Sequence, residues 1–327
     1  RTSTCTCPMT GFSTDWLAQR ESFDTAARAL AWPSFGPLLE TIRPTATAGA
    51  STPLRVLDLA CGSGANLRAL APRLGGAQAW QLVDHDPALL AALPHAMASW
   101  AHAAGYRIDI CHNAGAALRV DGPDFSVELV TERADLGSGL DTLTIGQPHL
   151  ITASALLDLV SARWIESLVQ QAGRAGAAVL FALTVDGRTG WNPPDEADAE
   201  VQRLFASHQR RDKGFGPALG PTAGAFVARC LEAAGYAVVQ SETDWEIDAT
   251  GGAPTAPAML AAMLEGMASA AIDQQPDALD IVRAWQARRL ALIGRTQLRV
   301  GHRDLMAAPA QRPDPDPTTG RRPSQTP

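Results

Sequence analysis

An acidic side chain at the end of a short apolar run, followed by small residues at alternate positions, is the clearest chemical pattern in this chain: Val56-Leu-Asp-Leu-Ala-Cys-Gly-Ser-Gly-Ala-Asn66. Glycine lets a backbone turn tightly and approach a ligand with no Cβ in the way. A helix opening directly after such a turn points its free N–H groups at that ligand. Asp58 lies at the strand end, and Ala60, Gly62 and Gly64 form the turn. Asp84 closes the next apolar run, 22 residues beyond Gly62, and a carboxylate there can accept two hydrogen bonds from a ribose diol. His85 follows it at the border of the same pocket. A glycine turn alone says little; with this downstream acid in a strand–turn–helix–strand context it points to an adenosine-containing cofactor. A nicotinamide-dependent oxidoreductase is the rival, but it calls for a third glycine where Leu67 stands, and for no acid before the turn.

Further along, Ser207-His-Gln-Arg-Arg-Asp-Lys-Gly-Phe-Gly-Pro217 gathers one His, two Arg and one Lys before a Gly-Pro turn. Arg210, Arg211 and Lys213 suit a carboxylate or phosphate, and His208 suits a base or orienting group. The alternative is a solvated helix end, where basic residues favour the C-terminal dipole. Trp191, Asn192 and Phe215 would supply an aromatic wall. Asp158 is either an acceptor contact or a helix cap. Cys61 is read as packing, His302 as structural at a strand end, and Trp245 and Trp285 as core or cap packing. The odd count of five scattered cysteines implies no disulfide framework, and the Cys5/Cys7 pair has no second pair at zinc spacing, so no metal site is expected.

Alternating elements must position these groups. The apolar positions of 14–39 predict an N-terminal helix. Strands are expected at 54–59, 79–83, 150–155, 177–185, 236–240 and 297–301, with hairpin material over 106–132 turning at Asp121-Gly122. Helices are expected at 65–71, 87–103, 162–172, 196–208, 222–234, 258–271 and 277–293. The result is an α/β fold: a mostly parallel sheet with helices on both faces, whose ligands bind at the carboxyl ends of the strands. Segment 1–49 is expected to be an N-terminal helical piece and 50–305 the main domain, with a helical insertion at about 246–295; 306–327, rich in proline and polar residues, is read as a disordered tail.

In these features the sequence resembles the class I S-adenosylmethionine-dependent methyltransferases. The resemblance rests on Asp58-Leu-Ala-Cys-Gly-Ser-Gly64, Val83-Asp-His-Asp-Pro-Ala-Leu-Leu90, Asp135-Leu136 and the strand 150–155. It covers roughly residues 50–185 and extends more thinly to 302. It implies a Rossmann-like sheet of seven strands, the last antiparallel, with S-adenosyl-L-methionine as cofactor. Asp58 would stand near the cofactor's ammonium, Asp84 at the ribose, Asp135 at the adenine amino group and the Leu136 backbone at the ring edge. Ala153 to Leu156 would line the methyl-transfer side. Ala60 replaces the glycine of many members, and the long 106–131 hairpin leaves Asp109 or Asn113 as alternatives to Asp135. The last two strands are separated by about 55 residues of helix, expected to form a cap with the N-terminal helix.

The function implied is methyl transfer to a small-molecule acceptor by in-line displacement. A non-catalytic cofactor-binding protein and an aminopropyl transferase are the remaining alternatives. The net charge of −7 argues against nucleic-acid partners, and no apolar run approaches the roughly 18 residues that span a bilayer, so a cytoplasmic protein without membrane contacts is expected. Oligomeric state is not legible.

Overall fold

The computed structural model describes residues 13–42, 52–110, 118–140, 143, 146–252 and 254–310. The Cys5/Cys7 pair, Asn113 and the tail beyond 310 lie outside the described residues. Among the described residues ten strands form one sheet: β1 (Leu54–Leu59), β2 (Gly76–Asp84), β3 (Arg107–Ile110), β4 (Leu118–Asp121), β5 (Phe125–Arg133), β6 (Leu150–Ser154), β7 (Ala178–Asn192), β8 (Tyr236–Glu242), β9 (Trp245–Asp248) and β10 (Gln297–Pro309). Their order is β3-β4-β5-β2-β1-β6-β7-β10-β8, and β9 pairs with β10. β5, β2, β1, β6 and β7 run parallel, and β10 is antiparallel to both β7 and β8. Short runs such as Leu54-Arg-Val-Leu-Asp-Leu59 are buried almost throughout because helices cover both faces of the sheet. From β1 the chain builds outward through β2 and later returns to lay β6 on the other side, so the order reverses at β1/β6. Ligand crevices open at that point, beyond the carboxyl ends of the strands.

The described helices are α1 (Thr14–Ala29), α2 (Trp32–Thr41), α3 (Ala65–Leu74), α4 (Pro87–Ala104), α5 (Ala162–Ala175), α6 (Asp198–Gln209), α7 (Ala223–Ala233), α8 (Ala256–Gln274) and α9 (Leu279–Ala291). The single helix expected over 14–39 is two. Pro33 lacks an N–H and its fixed φ suits a first turn, and a new helix starts there. The sheet has more than seven strands because β3 and β4 add an edge hairpin and β9 pairs outside the path; the insertion expected as helical from 246 therefore begins as a strand. The tail boundary at 306 falls inside β10, whose Leu305 to Ala308 are buried between β7 and β8.

The ends of β7 and β10 run past the main sheet. Residues 189–192 pair with 297–300, which pair in turn with β9. This ribbon carries a three-helix cap, α6, α8 and α9, with its own core of Val201, Leu204, Leu264, Met267, Ala268, Val282 and Trp285. Arg289, almost fully buried, is paired with Asp198, donates to the Pro193 carbonyl at 2.7 Å and lies over the Trp191 ring at 4.6 Å. Trp285 Nε1 donates to the same Asp198 at 2.8 Å. The ion pair thus joins two cap helices, α9 and α6, and the same Arg289 fastens them to the ribbon through the Pro193 carbonyl and the Trp191 ring.

Candidate functional site

The glycine turn follows β1. Ala60, Gly62 and Gly64 all have positive φ, at 54°, 55° and 84°. At Gly64 a Cβ would stand 2.4 Å from Met97 Cε, the tip of a side chain that would have to move, and the φ of 84° itself favours glycine. Two bonds fasten the turn to the end of β2: Cys61 N–H donates to the Val83 carbonyl at 3.0 Å, and Gly62 N–H donates to Asp84 Oδ2 at 2.8 Å. Asp84 Oδ1 accepts from Asp86 N–H at 2.9 Å, so each oxygen of this buried carboxylate accepts one backbone bond and keeps one lone pair. The His85 ring stands 3.4 Å from Asp84 and is largely exposed. Asp84 therefore shapes the turn as well as presenting a carboxylate beside it.

Beneath the turn lies a buried polar network. Asp58 Oδ1 accepts from Asn66 Nδ2 at 2.6 Å, and the same amide donates to Thr152 Oγ1 at 3.0 Å. Asn66 Oδ1 accepts from Arg28 of α1. Two buried atoms of this network have no partner among the described residues: Asp58 Oδ2 and Arg28 Nε. Burial pushes the Asp58 carboxyl up to about 7, against the opposing pull of Asn66 and Arg28. Leaving a buried polar atom unsatisfied costs about 1–3 kcal/mol, so an anion and a cation with one free atom each, bridged by one amide, are complementary to a ligand that carries both charges.

Helix α1 forms the roof. Leu17, Arg20, Glu21, Asp24, Thr25 and Arg28 line the cleft opposite Ala60 to Ser63, Asn66, Ser154 and Ala155. Glu21 accepts both arms of Arg68 at 2.7 and 2.8 Å, and Arg68 also donates to the Ser63 carbonyl at 2.7 Å. Arg20 holds Asp24 bidentately and lies 4.9 Å over the Trp245 ring, while Trp245 Nε1 donates to Asp24 at 3.0 Å. The apolar positions of 14–39 say nothing of this role. The available signal was that Arg20, Asp24 and Arg28, at i, i+4 and i+8, share one face.

The other expected positions divide. Ala153 is buried in β6 next to the network. Asp135 is exposed and accepts from Gly137 N–H at 2.9 Å, capping a short turn in which Leu136 is buried and its carbonyl accepts from Trp164 Nε1. The 212–216 loop lies against this turn: a Cβ at Gly137 would be 2.6 Å from the Gly214 carbonyl, and Phe215 packs edge-on to Trp164 at 5.9 Å. Asp158 is buried after β6, and burial raises its carboxyl to about 6 despite the nearby charge of Arg20. Ala155, beside it, has a φ of 52°. His208 and Arg211 are not in the cleft lining. Both bind Asp273 of α8, His208 Nε2 at 3.2 Å, so they join two cap helices. Lys213 is half-buried, its ammonium lowered by burial and by Arg211. Arg210 is exposed. Trp191 faces the cap, edge-on to Trp285. Among the described residues no cluster of His, Cys, Asp or Glu could hold a metal, and no helix is long and apolar enough to cross a membrane.

No family model matches the chain, and no curated protein matches it. Solved structures similar to it include an S-adenosylmethionine-dependent methyltransferase from Thiobacillus denitrificans in complex with S-adenosyl-L-homocysteine, at 16% identity over 91% of this chain and 100% of that one, with a TM-score of 0.39. A second, from Geobacter sulfurreducens with the same ligand, shares 15% over 88% and 98%, at 0.38. A Haemonchus contortus phosphoethanolamine N-methyltransferase 2 shares 14% over 92% of this chain and 60% of its own, at 0.37. At such identities and scores, the functional reading rests on the cleft itself.

Proposed function

We propose that this chain is an S-adenosyl-L-methionine-dependent methyltransferase acting on a small molecule. One observation carries the reading: at the crevice beside the β1 glycine turn, Asp58 and Arg28 each keep one buried, unpartnered atom, bridged by Asn66. An α-amino acid zwitterion needs that pair, its ammonium on Asp58 and its carboxylate on Arg28. The turn 60–64 lets the chain approach the ligand, Asp84 with His85 beside it serves the ribose, and Asp135 with Leu136 serves the adenine. Ala153 backs the network on the β6 side. The cofactor supplies a methyl group on a sulfonium; the protein holds, orients and desolvates.

The acceptor enters past the ends of β6 and β7, where Asp158 is its nearest buried carboxylate. The 208–213 segment, with His208, Arg210, Arg211, Lys213 and the neighbouring Trp191, forms the outer wall on the cap side. The roofing of the cleft by α1 supports a small acceptor over a polymer. The test is calorimetric titration with S-adenosylhomocysteine, with NAD as control. Micromolar one-to-one binding of the first and silence from the second is expected. Binding of NAD alone would replace this reading with an oxidoreductase, and silence from both would leave a cofactor-free binding protein.

A further inference from the structure

Helix α9 of the cap has an inverted distribution of side chains. A surface helix ordinarily turns its apolar stripe to the core and its polar residues to solvent. The inward face of α9 carries Gln286 and Arg289 beside Val282 and Trp285. Gln286 donates to Glu265 of α8 at 2.6 Å, and Arg289 is paired with Asp198 of α6. The outward face carries Ile281, Ala284, Ala287, Leu290 and Ala291, all exposed. At about 100° per residue the three alanines run along the middle of this face, with Leu290 on one side and Ile281 on the other. Leu279 and Leu292 extend it at the two ends, and these four large side chains are 39–45% exposed. Among the described residues only six large apolar side chains are this exposed, so four of the six fall within 279–292. Exposed apolar residues scattered singly are ordinary, but a concentration on one helix marks an interaction surface.

The charges near this face say what covers it. Two are engaged within the chain: Asp195 holds Arg288 bidentately at 2.7 and 2.8 Å, and Arg283 donates to Gln286 at 2.7 Å. The rest are of opposite sign at the two ends of the helix. Asp277 and Asp280 stand at its start and Arg295 just beyond its last turn, all three exposed and without an ion-pair partner among the described residues. The face is therefore complementary to itself when turned end for end. The acidic start of one copy then meets the basic end of the other, the two helix dipoles oppose, and apolar middle meets apolar middle. The alanines let two such helices approach closely. A phospholipid surface fits less well, since anionic headgroups would meet Asp277 and Asp280.

We propose that the outward face of α9 is a self-association surface, on which a second copy of this chain packs its own α9 antiparallel about a twofold axis. The twofold closes the assembly at two copies, because each copy uses the same face once. At 1.5 Å per residue α9 is about 20 Å long, so the contact belongs with small, transient interfaces, and a dissociation constant on the order of 10 µM is expected. The charged ends set orientation more than strength, since exposed pairs contribute little and salt screens them. The inference stands apart from the methyltransferase reading, because α9 lies in the cap and supplies no residue to the cleft lining.

The experiment is sedimentation velocity of the full chain from about 1 to about 200 µM, a range that brackets a transient dimer. Wild type is expected to pass from monomer to dimer across it. Ile281→Glu combined with Leu290→Glu puts carboxylates on both sides of the face and should weaken association at least tenfold. Its thermal transition by circular dichroism should stay within a few degrees of wild type, which separates a lost interface from a lost fold. Charge reversal at exposed positions reads the orientation. Asp277→Arg with Asp280→Arg makes both ends of the face basic, and Arg295→Asp makes both acidic. Each variant alone should dimerise more weakly than wild type, and an equimolar mixture of the two should associate more tightly than either alone. A wild type that is monomeric throughout, or a dimer untouched by Ile281→Glu with Leu290→Glu, overturns the proposal. So does a monomer that co-sediments with phosphatidylcholine–phosphatidylglycerol vesicles, which would make the face a membrane contact. A mixture no tighter than its components overturns the antiparallel pairing.

Discussion

The free oxygen of Asp58 makes cofactor binding depend on protons. In the ligand-free protein its carboxyl is raised to about 7 by burial. A ligand ammonium placed on Oδ2 favours the charged form, returning it toward the ordinary value of about 3.9. The free protein then holds a proton that the complex does not, so binding releases it, and affinity falls as pH drops through 7. With those two values the dissociation constant is multiplied by one plus ten to the power of 7 minus pH. Between pH 7.5 and 5.5 it rises about 25-fold, or ~1.9 kcal/mol at 1.36 kcal/mol per tenfold. Titration with S-adenosylhomocysteine in buffers of different ionisation enthalpy, at pH 5.5, 6.5 and 7.5, measures both the slope and the protons released, roughly half a proton at pH 7. Asp158 also sits in this range, at about 6, so the series is repeated in Asp158→Asn, where the slope should persist. In Asp58→Asn it should vanish along with much of the affinity. A dissociation constant that is flat from pH 7.5 to 5.5 in wild type would refute the assignment of the ammonium to Asp58.

Other consequences are as direct. Arg28→Met should weaken S-adenosylhomocysteine at least tenfold, since it deletes the cation beside Asn66; unchanged affinity would remove the carboxylate assignment. Asp84→Ala should also weaken it more than tenfold, because both the ribose contact and the Gly62 anchor are lost, while circular dichroism reports a retained fold. Arg289→Ala should lower stability by ~1–3 kcal/mol in chemical denaturation by leaving half-buried Asp198 without its cation and the Pro193 carbonyl without its donor; no measurable loss would mean that the cap does not depend on that residue. His208→Ala should leave S-adenosylhomocysteine affinity within twofold, because His208 binds Asp273 on the cap; a tenfold loss would bring it back into the cleft.

How much of this was legible follows from where each interaction lies in the chain. Asp58, the glycine turn and Asp84 fall within a stretch whose spacing is set by one strand–turn–helix–strand unit, so local pattern sufficed. Arg20 and Arg28 were invisible because their partners, Trp245, Asn66 and the buried carboxylates, lie far away in sequence; a charged helix face reads as solvated until something covers it. For the 208–213 run the same holds in reverse, since Asp273, 62 residues from Arg211, takes up part of the charge that the run displays. β10 was cut short because polar proline-rich sequence begins near its end, although Leu305 to Ala308 already read as apolar.

The place of β10 bears on how the molecule comes into being. The last described strand is not at the rim of the sheet but between β7 and β8. Until residues 297–309 leave the ribosome, those two strands each present an unpaired edge, and such edges recruit foreign strands. From the emergence of β8 until β10 follows it, the nascent chain therefore carries a vacant slot. Closing it joins segments far apart in sequence, a slow step in topologies dominated by distant contacts. A chain stopped at residue 296 would forfeit the centre of one half of its sheet and should go to aggregates or to proteolysis.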